Sequence, residues 1–377
     1  MMDRATRRPP PPVPVFVLTG FLGAGKTTLL NDLLREDALA ETVVLINEFG
    51  AVGLDHLLVE KIDGDMLLMA SGCLCCTIRG DLVRTLEDLL RRLDNGRIAP
   101  FSRVVIETTG LADPVPVLQT IIGHPYFALR FKVDGVLTVV DAVNGSSTLD
   151  RHREAVKQVA VADRIVVTKA DVAPPADRAS LLNRLRALNP FAPLLDRAAG
   201  EATAAALLDG GSRSALSPLL SQDDDDDHGH DHHHEHHHDH HHGHAHDPSR
   251  HGETIRSHVL VRDTPVSATG LTLFLELLRH AHGPKLLRLK GLVALADDPS
   301  RPLLVHAVQH LLHPPVRLEQ WPDEDHRTRI VLIVDGLEER FIERLFGSVC
   351  GEIAPDQPDM AALTANPLAP ANTGLLG

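Results

Sequence analysis

The glycine-rich segment GFLGAGKT at residues 20–27 is the feature that most constrains how this chain folds. It follows the apolar run Val15–Thr19 directly, and a helix-forming run begins at its last residue, Thr27. Every fixed position of the pattern G-x-x-x-x-G-K-[ST] is filled. In such a segment backbone N–H groups wrap phosphate groups, and the following helix N-terminus adds its dipole. The segment therefore predicts a strand, a phosphate-binding loop and a helix in that order.

This pattern assigns a role to individual side chains of the loop. We expect Lys26 to reach the β- and γ-phosphates and the Thr27 hydroxyl to ligate Mg²⁺. The residues predicted to bind the phosphates are Gly20, Gly23, Ala24, Gly25, Lys26, Thr27 and Thr28.

Apolar runs and amphipathic runs alternate over residues 13–195, which we assign to one domain. The runs predicted as strands are Val15–Thr19, Thr42–Asn47, Arg103–Thr108, Gly135–Asp141 and Arg164–Thr168. The runs predicted as helices are Thr27–Glu36, Ile78–Leu93, Val115–Ile122, His152–Ala162 and Pro175–Leu188. Continuous apolar strands are typical of sheets covered on both faces, and the alternation implies right-handed crossovers. The sequence predicts an α/β fold, a P-loop domain with a mainly parallel sheet.

A smaller α+β domain is predicted over residues 253–350. It contains strand-like runs at 255–261, 286–295 and 329–334, and helical runs near 271–280 and 337–346. Ala, Gly, Ser, Asp and His dominate residues 196–252, which predicts a flexible linker. Residues 1–12 and 351–377 are rich in proline and lack periodicity, so we expect them to be disordered.

Two further motifs stand at the ends of predicted strands. In Glu107-Thr-Thr-Gly110, Glu107 would approach Mg²⁺ or its waters, and the Gly110 N–H would meet the γ-phosphate. In Thr168-Lys169-Ala-Asp171, the aspartate would accept hydrogen bonds from N1–H and the 2-amino group of guanine, a pair of donors that adenine lacks. Lys169 would lie along the base and ribose. The motifs favour GTP over ATP, with a P-loop kinase or ATPase as the alternative.

Together these motifs give a candidate catalytic set. It consists of Lys26, Thr27, Glu107 and Gly110. Within it, Thr27 and Glu107 are the candidate magnesium residues.

Three cysteines stand within four residues, at Cys73, Cys75 and Cys76. Thiolates at this density suit tetrahedral Zn²⁺ or Cu(I). A helix predicted to begin at Ile78 would lower the thiol pKa values and favour the thiolate form. The alternative is buried, inert cysteine. Crowded thiols without a disulfide framework indicate a reducing, cytoplasmic setting.

The formal net charge of −14 is concentrated in one tract. Residues 223–247 hold nine acidic side chains and no Lys or Arg, so the rest of the chain carries only −5. A net-acidic chain without a basic block argues against nucleic-acid binding, and no apolar run is long enough to span a membrane.

The same acidic tract holds 13 of the 24 histidines: His228, His230, His232, His233, His234, His236, His237, His238, His240, His241, His242, His244 and His246. Imidazoles beside carboxylates predict an accessory tract that collects metal ions.

The motifs occur in an order that resembles a known family. They are GFLGAGKTTLL, NEFG at 47–50, GCLCC at 72–76, ETTGLADP at 107–114, VVDA at 139–142 and TKAD at 168–171. Together they resemble the CobW-like subfamily of metal-handling P-loop GTPases, relatives of the urease and hydrogenase nickel-insertion GTPases. The runs LLRLKGL at 286–292 and RIVLIV at 329–334 resemble that subfamily's C-terminal domain.

This resemblance implies a GTPase that delivers Zn²⁺ or Co²⁺ to a client metalloprotein or to a cobalamin pathway. It implies that Cys73, Cys75 and Cys76 hold the metal, that nucleotide state controls metal release, and that Glu48 contacts Mg²⁺ or the transferred metal. Ala51 departs from the acid that relatives often carry there. The alternatives are a His-rich metal store with a vestigial GTPase and a nickel-insertion GTPase. The oligomeric state stays open, a homodimer included.

Overall fold

The computed structural model describes residues 11–46, 78–208 and 254–350, which form an α/β unit and an α+β unit. In the first unit the strands are β1 (Val13–Gly20), β2 (Thr42–Ile46), β3 (Arg103–Glu107), β4 (Phe131–Asp141), β5 (Arg164–Thr168) and β6 (Leu194–Asp196). The helices are α1 (Lys26–Leu33), α2 (Ile78–Asp94), α3 (Val115–Gly123), α4 (Pro125–Arg130), α5 (Gly145–Arg151), α6 (Arg153–Ala160), α7 (Pro175–Leu188) and α8 (Ala204–Leu208).

These six strands form one parallel sheet in the order β2-β3-β1-β4-β5-β6. Alternate residues of β1 serve opposite layers of the core. Val15 and Val17 pack with α2, α3, α6 and α7, whereas Phe16 and Leu18 pack with α1 and α8. All carboxyl ends of a parallel sheet meet at one edge, so the loops after β1, β3, β4 and β5 come together there. The predicted α/β fold with a mainly parallel sheet is confirmed.

Several boundaries differ from those expected from the sequence. The helix predicted over Thr27–Glu36 ends at Leu33, and a separate 3-10 turn follows at Asp37–Leu39. The helix predicted over His152–Ala162 is α6 alone, because His152 is extended and separates it from α5. The first unit also continues past residue 195, into the segment predicted as linker. Three residues of α8 are buried against the sheet, which the high alanine content of this stretch concealed.

The second unit consists of an antiparallel sheet with two helices. Its strands are β7 (Ile255–Arg262), β8 (Leu286–Leu295), β9 (Asp298–Val308), β10 (Leu311–Leu312), β11 (Val316–Arg317) and β12 (Thr328–Asp335), in the order β10-β9-β8-β12-β7 with β11 beside β9. The helices are α9 (Ala268–His282) and α10 (Glu339–Cys350). The predicted smaller α+β domain is therefore confirmed, although β9 was not predicted as a strand.

The two faces of the second sheet have different neighbours. Both helices pack on one face, where the Phe274 and Phe346 rings meet edge to face at 4.9 Å. From the other face Ile255, Leu287 and Ile333 join the apolar cluster of the first unit. The units thus share a continuous core. None of the helices in the three described ranges has the length and apolarity that crossing a membrane requires.

Candidate functional site

The loop between β1 and α1 has the shape of a phosphate cradle. Gly20 and Gly25 adopt φ angles of 140° and 94°, which favour glycine. A Cβ at Gly20 would lie 2.3 Å from the Val139 carbonyl oxygen of β4, so the loop also needs glycine there for space. Gly25 is the N-cap of α1 and supplies no side-chain cap, which leaves the helix N-terminus open to an anion.

Lys26 lies buried inside this loop, with 8% of its surface exposed. Its Nζ donates to the carbonyl oxygens of Gly20 at 3.0 Å and Phe21 at 3.5 Å. Burial lowers the Lys26 pKa, and the nearby Glu107 carboxylate opposes that shift. An ammonium held by weak carbonyl partners can exchange them for phosphate oxygens, which are stronger acceptors.

Thr27 and Glu107 meet at the edge of the sheet. The Thr27 hydroxyl donates to Glu107 Oε1 at 2.8 Å, across 80 residues of sequence. Glu107 is 4% exposed because it ends β3 and pairs in register with Leu18 of β1. A hydroxyl and a carboxylate are hard oxygen ligands of the kind that Mg²⁺ takes together with its waters. These two predicted magnesium residues therefore stand side by side and fit the ion.

The loop after β3 packs tightly on the phosphate loop. Thr108 donates to Thr19 Oγ1 at 2.9 Å, and the Thr108 N–H donates to the Leu18 carbonyl at 2.9 Å. At Gly110 a Cβ would lie 2.6 Å from the Leu22 backbone nitrogen. Gly110 is thus held against the loop that contains Lys26, as its predicted place near a γ-phosphate requires.

Gln158 is a site residue that the sequence analysis missed. It is 1% exposed on α6, and its Nε2 donates to the carbonyl oxygens of Gly110 at 3.3 Å and Ala112 at 3.0 Å. The available signal was a glutamine on the same helix face as Ala155 and Val159, but its partners lie 48 and 46 residues away.

At the predicted base-recognition turn the structure brings three elements together. Thr168 Oγ1 donates to the Ala24 carbonyl at 2.7 Å. Lys169 Nζ donates to the Gly23 carbonyl at 2.9 Å and to Asp141 Oδ2 at 2.7 Å, with Lys169 itself at a φ of 55°. Asp171 is exposed, so its carboxylate is open to a ligand. The turn is therefore braced on the phosphate loop.

Asp141 is the second residue that the sequence analysis left without a role. Burial raises its pKa, but hydrogen bonds from Lys169 and Asn144 outweigh that effect and hold the pKa below its ordinary value. The ionised carboxylate fixes the lysine of the turn. Its membership in the VVDA motif was visible in the sequence, but its contact with Lys169 depends on the pairing of β4 with β5.

The predicted thiol site, Cys73, Cys75 and Cys76 with Glu48, lies outside the described residues, as do the 13 histidines of the 223–247 tract. Thr28 is described and is exposed on the first turn of α1. Among residues 11–46, 78–208 and 254–350, no three His, Cys, Asp or Glu side chains cluster as a metal site would require.

A parallel sheet, a glycine-rich loop with a buried lysine and a paired threonine and glutamate define a P-loop nucleotide-hydrolysing protein. Residues 14–196 match the family model described as the CobW/HypB/UreG nucleotide-binding domain, and residues 255–350 match the cobalamin synthesis protein CobW C-terminal domain. The chain belongs to this family of GTPases, and it hydrolyses GTP. The family that the motifs resembled is thus confirmed.

One named relative aligns with nearly the whole chain, and another aligns with less than half of it. The zinc chaperone YjiA of Escherichia coli K12 is 33% identical over 343 residues, which are 90% of this chain and 99% of that protein. The crystal structure of Zn(II)-bound YjiA GTPase from E. coli superposes with a TM-score of 0.62 at 30% identity, over 90% and 99% of the two chains. The zinc-regulated GTPase metalloprotein activator 1 of Schizosaccharomyces pombe is 38% identical over 168 residues, 43% of this chain and 40% of that one.

Proposed function

We propose that this GTPase is a metallochaperone that binds Zn²⁺ as cargo and releases it to a client metalloprotein when GTP is hydrolysed. The observation that carries the proposal is the likeness over nearly the full length to a relative named as a zinc chaperone. Co²⁺ is the second candidate cargo, since thiolate and imidazole ligands accept both ions.

The proposed cargo site consists of the thiolates of Cys73, Cys75 and Cys76, with Glu48 beside them. Its coupling to the nucleotide follows from the place where the chain leaves β2. Ile46 pairs in register with Glu107, the proposed magnesium residue. Glu48 follows Ile46 by two residues, and two residues of extended chain span at most about 7 Å. The segment that contains the thiols therefore starts at the magnesium end of the sheet.

In the proposed hydrolysis, Lys26 neutralises the β- and γ-phosphates and the Gly110 N–H meets the γ-phosphate. Thr27 and Glu107 would hold Mg²⁺, which supplies charge stabilisation of the leaving phosphates when bound. Asp171 would read guanine while Lys169, fixed by Asp141 at 2.7 Å, lies along the base. Loss of the γ-phosphate frees the loop after β3 that contains Gly110 (residues 108–114, the Gly110 loop), and the metal ligands then separate.

The test is Zn²⁺ affinity, measured by competition with a chromophoric chelator in the presence of GDP or a non-hydrolysable GTP analogue. We expect affinity to differ at least tenfold between the two nucleotides, which corresponds to ~1.4 kcal/mol of coupling. Equal affinities would refute the coupling. A Cys73→Ala/Cys75→Ala/Cys76→Ala variant that still binds one Zn²⁺ tightly would refute the assignment of the thiols.

The 13 histidines of residues 223–247 raise a second candidate function, a metal store. We propose instead that the tract collects ions for the cysteine site. Deleting residues 223–247 separates the two. A chaperone keeps Zn²⁺-responsive GTP hydrolysis after the deletion, whereas a store loses most of its metal capacity and shows hydrolysis indifferent to Zn²⁺ before and after it.

A further inference from the structure

Helix α6 lies between the nucleotide loops and the C-terminal domain. At its N-terminal end the His152 ring packs on the Phe21 ring of the phosphate loop, with 4.4 Å between the ring centroids. A cavity of about 200 Å³ lies further along the helix, lined by Phe21 of the phosphate loop and by Ala155, Gln158 and Val159 of α6. Because close-packed interiors resist displacement, this space permits a small shift of the helix relative to the loop.

Two consecutive residues in α6 hold the loop that follows Glu107. Gln158 donates to the Gly110 and Ala112 carbonyls, and the Lys157 ammonium lies 3.5 Å from the Asp113 carboxylate. The Gln158 carbonyl is itself fixed, since it accepts a hydrogen bond from Thr138 of β4 at 2.7 Å. Any movement of the Gly110 loop therefore changes the contacts of α6.

Beyond its C-terminal end, α6 is bound to the second domain through ionic contacts. Arg288 of β8 donates to the Val161 carbonyl and to Asp163, and Lys290 Nζ lies 2.7 Å from Asp163 Oδ1. Asp163 also accepts the Val136 N–H at 2.9 Å, which ties this group to β4. At the other end of the helix, Arg153 pairs with Asp335 of β12.

The contacts of Arg288 and Lys290 differ from ordinary surface ion pairs because both cationic side chains are buried. The side chains of Arg288 and Lys290 are 7% and 5% exposed. Burial alone would raise the pKa of Asp163, but Arg288 and Lys290 outweigh it and hold that pKa well below its usual range. Burial lowers the pKa of Lys290 to about 8, against the attraction of Asp163. Removing one member of such a group leaves an uncompensated buried charge, so the group moves as a unit.

We propose that α6 transmits the nucleotide state of the Gly110 loop to the C-terminal domain, with Gln158 as the positioning residue at the loop and Asp163 as the contact at the domain. When the γ-phosphate engages Gly110, the loop shifts Gln158, and α6 carries the shift to Arg288 and Lys290. Loosening the domain contact lets α6 and the Gly110 loop shift, and the Gly110 N–H then stabilises the γ-phosphate less well in the transition state, which slows hydrolysis. The inference rests on GTP hydrolysis and not on the identity of the metal.

A double-mutant cycle on the full-length protein tests this inference. Gln158→Met keeps the length of the side chain and removes its donors, and Arg288→Met removes the cation at the domain contact. We expect each to lower kcat for GTP at least about fivefold, because a displaced Gly110 N–H stabilises the transition state less, while GDP affinity stays within about twofold. Because both act through one helix, the double variant should be no slower than the slower single variant.

Controls separate coupling from simple loss of stability. Arg130→Met breaks the pair with Asp94, which joins α4 to α2 within the first domain at 2.7 Å. The Arg130→Met variant should keep kcat within about twofold of the wild-type value when its thermal stability matches that of the Arg288 variant. Arg288→Lys, which keeps the charge, should restore part of the rate. If Arg288→Met fails to fold, Asp163→Asn cuts the same contact with little change in volume.

Two kinetic results would overturn the inference. One is a kcat for the folded domain-contact variant equal to that of the wild type. The other is multiplicative losses in the double variant, since independent effects add in free energy. As a second measurement, amide hydrogen exchange in α6 and β8 should differ between GDP and a non-hydrolysable GTP analogue, and identical exchange in both elements would also overturn it.

Discussion

Replacing Gly110 with alanine should separate the two loops that surround the γ-phosphate. The new Cβ would lie 2.6 Å from the Leu22 nitrogen and 2.8 Å from the Leu22 Cα. These are backbone atoms of the phosphate loop, so rotating a side chain cannot relieve the contact. Ordinary van der Waals contact needs ~3.5 Å. The loop after β3 must therefore retreat by several tenths of an ångström from the loop that holds Lys26.

Overpacking at a tight contact costs about 1–3 kcal/mol. If the strain is released by moving Gly110 away from the γ-phosphate, the same energy is lost from the transition state. At 1.36 kcal/mol per factor of ten, kcat/KM falls by roughly 5- to 150-fold. GDP affinity should stay within about threefold, because GDP has no γ-phosphate for the displaced N–H to meet.

The matched control is Gly123→Ala at the end of α3. A Cβ there would meet nothing within 4 Å, and Gly123 is not at positive φ. The assay is phosphate release at saturating Mg²⁺ over a range of GTP concentrations, with fluorescent GDP titration beside it. The reasoning fails if Gly110→Ala hydrolyses GTP at the wild-type rate, or if Gly123→Ala loses as much activity.

Three further predictions concern the metal, the base and pH. Thr27→Val removes the hydroxyl that pairs with Glu107 and should reduce Mg²⁺-dependent phosphate release about 100-fold, with Ser in place of Val restoring most of it. Asp171→Asn should weaken GTP binding at least tenfold and favour xanthosine triphosphate, measured by nucleotide competition. Burial lowers the pKa of His306 to about 2 and that of His313 to about 4. As the pH falls below 6.5, these two histidines take up protons in the unfolded chain but stay neutral in the folded protein. The free energy of unfolding therefore decreases, and the melting temperature should drop between pH 6.5 and about 5, before most carboxylates titrate. His313→Asn should flatten that drop. The charged groups facing this histidine pair are Asp163, Lys290, Arg288 and Lys132.

The elements of the first domain were predicted well because the patterns that indicate them, apolar strand runs and the glycine-rich loop, are local in the sequence. Each of its five long strands contains a mainly apolar run, and the glycine pattern fixes where β1 ends and α1 begins. Strand β9 was missed for an equally local reason. It begins with the residues DPSRP, and proline is read as a turn signal, although proline is tolerated at strand ends and edges.

Contacts between residues distant in the sequence could be predicted only where both residues belong to motifs of known role. Thr27 and Glu107 could be placed in one site because their motifs have known roles, and the structure brings them within 2.8 Å. Gln158 and Asp163 have no motif, and their importance depends on α6 lying between two domains. A buried glutamine and a half-buried aspartate become conspicuous only when their partners, 48 and 125 residues away, are known.

The fold offers two routes by which the nucleotide state can reach other parts of the protein, one through β2 to the proposed metal ligands and one through α6 to the C-terminal domain. The segment with the proposed thiol ligands continues directly from β2, whose last residue, Ile46, pairs with Glu107. Metal release can therefore follow loss of the γ-phosphate by a local change at the end of the sheet. Among the described residues, the C-terminal domain contacts α6 through Arg288 and Lys290 of β8, which gives it a second route. Variants at Arg288 should accordingly slow hydrolysis, while the part of the nucleotide dependence of Zn²⁺ affinity that passes through β2 persists in a measurement on the same protein.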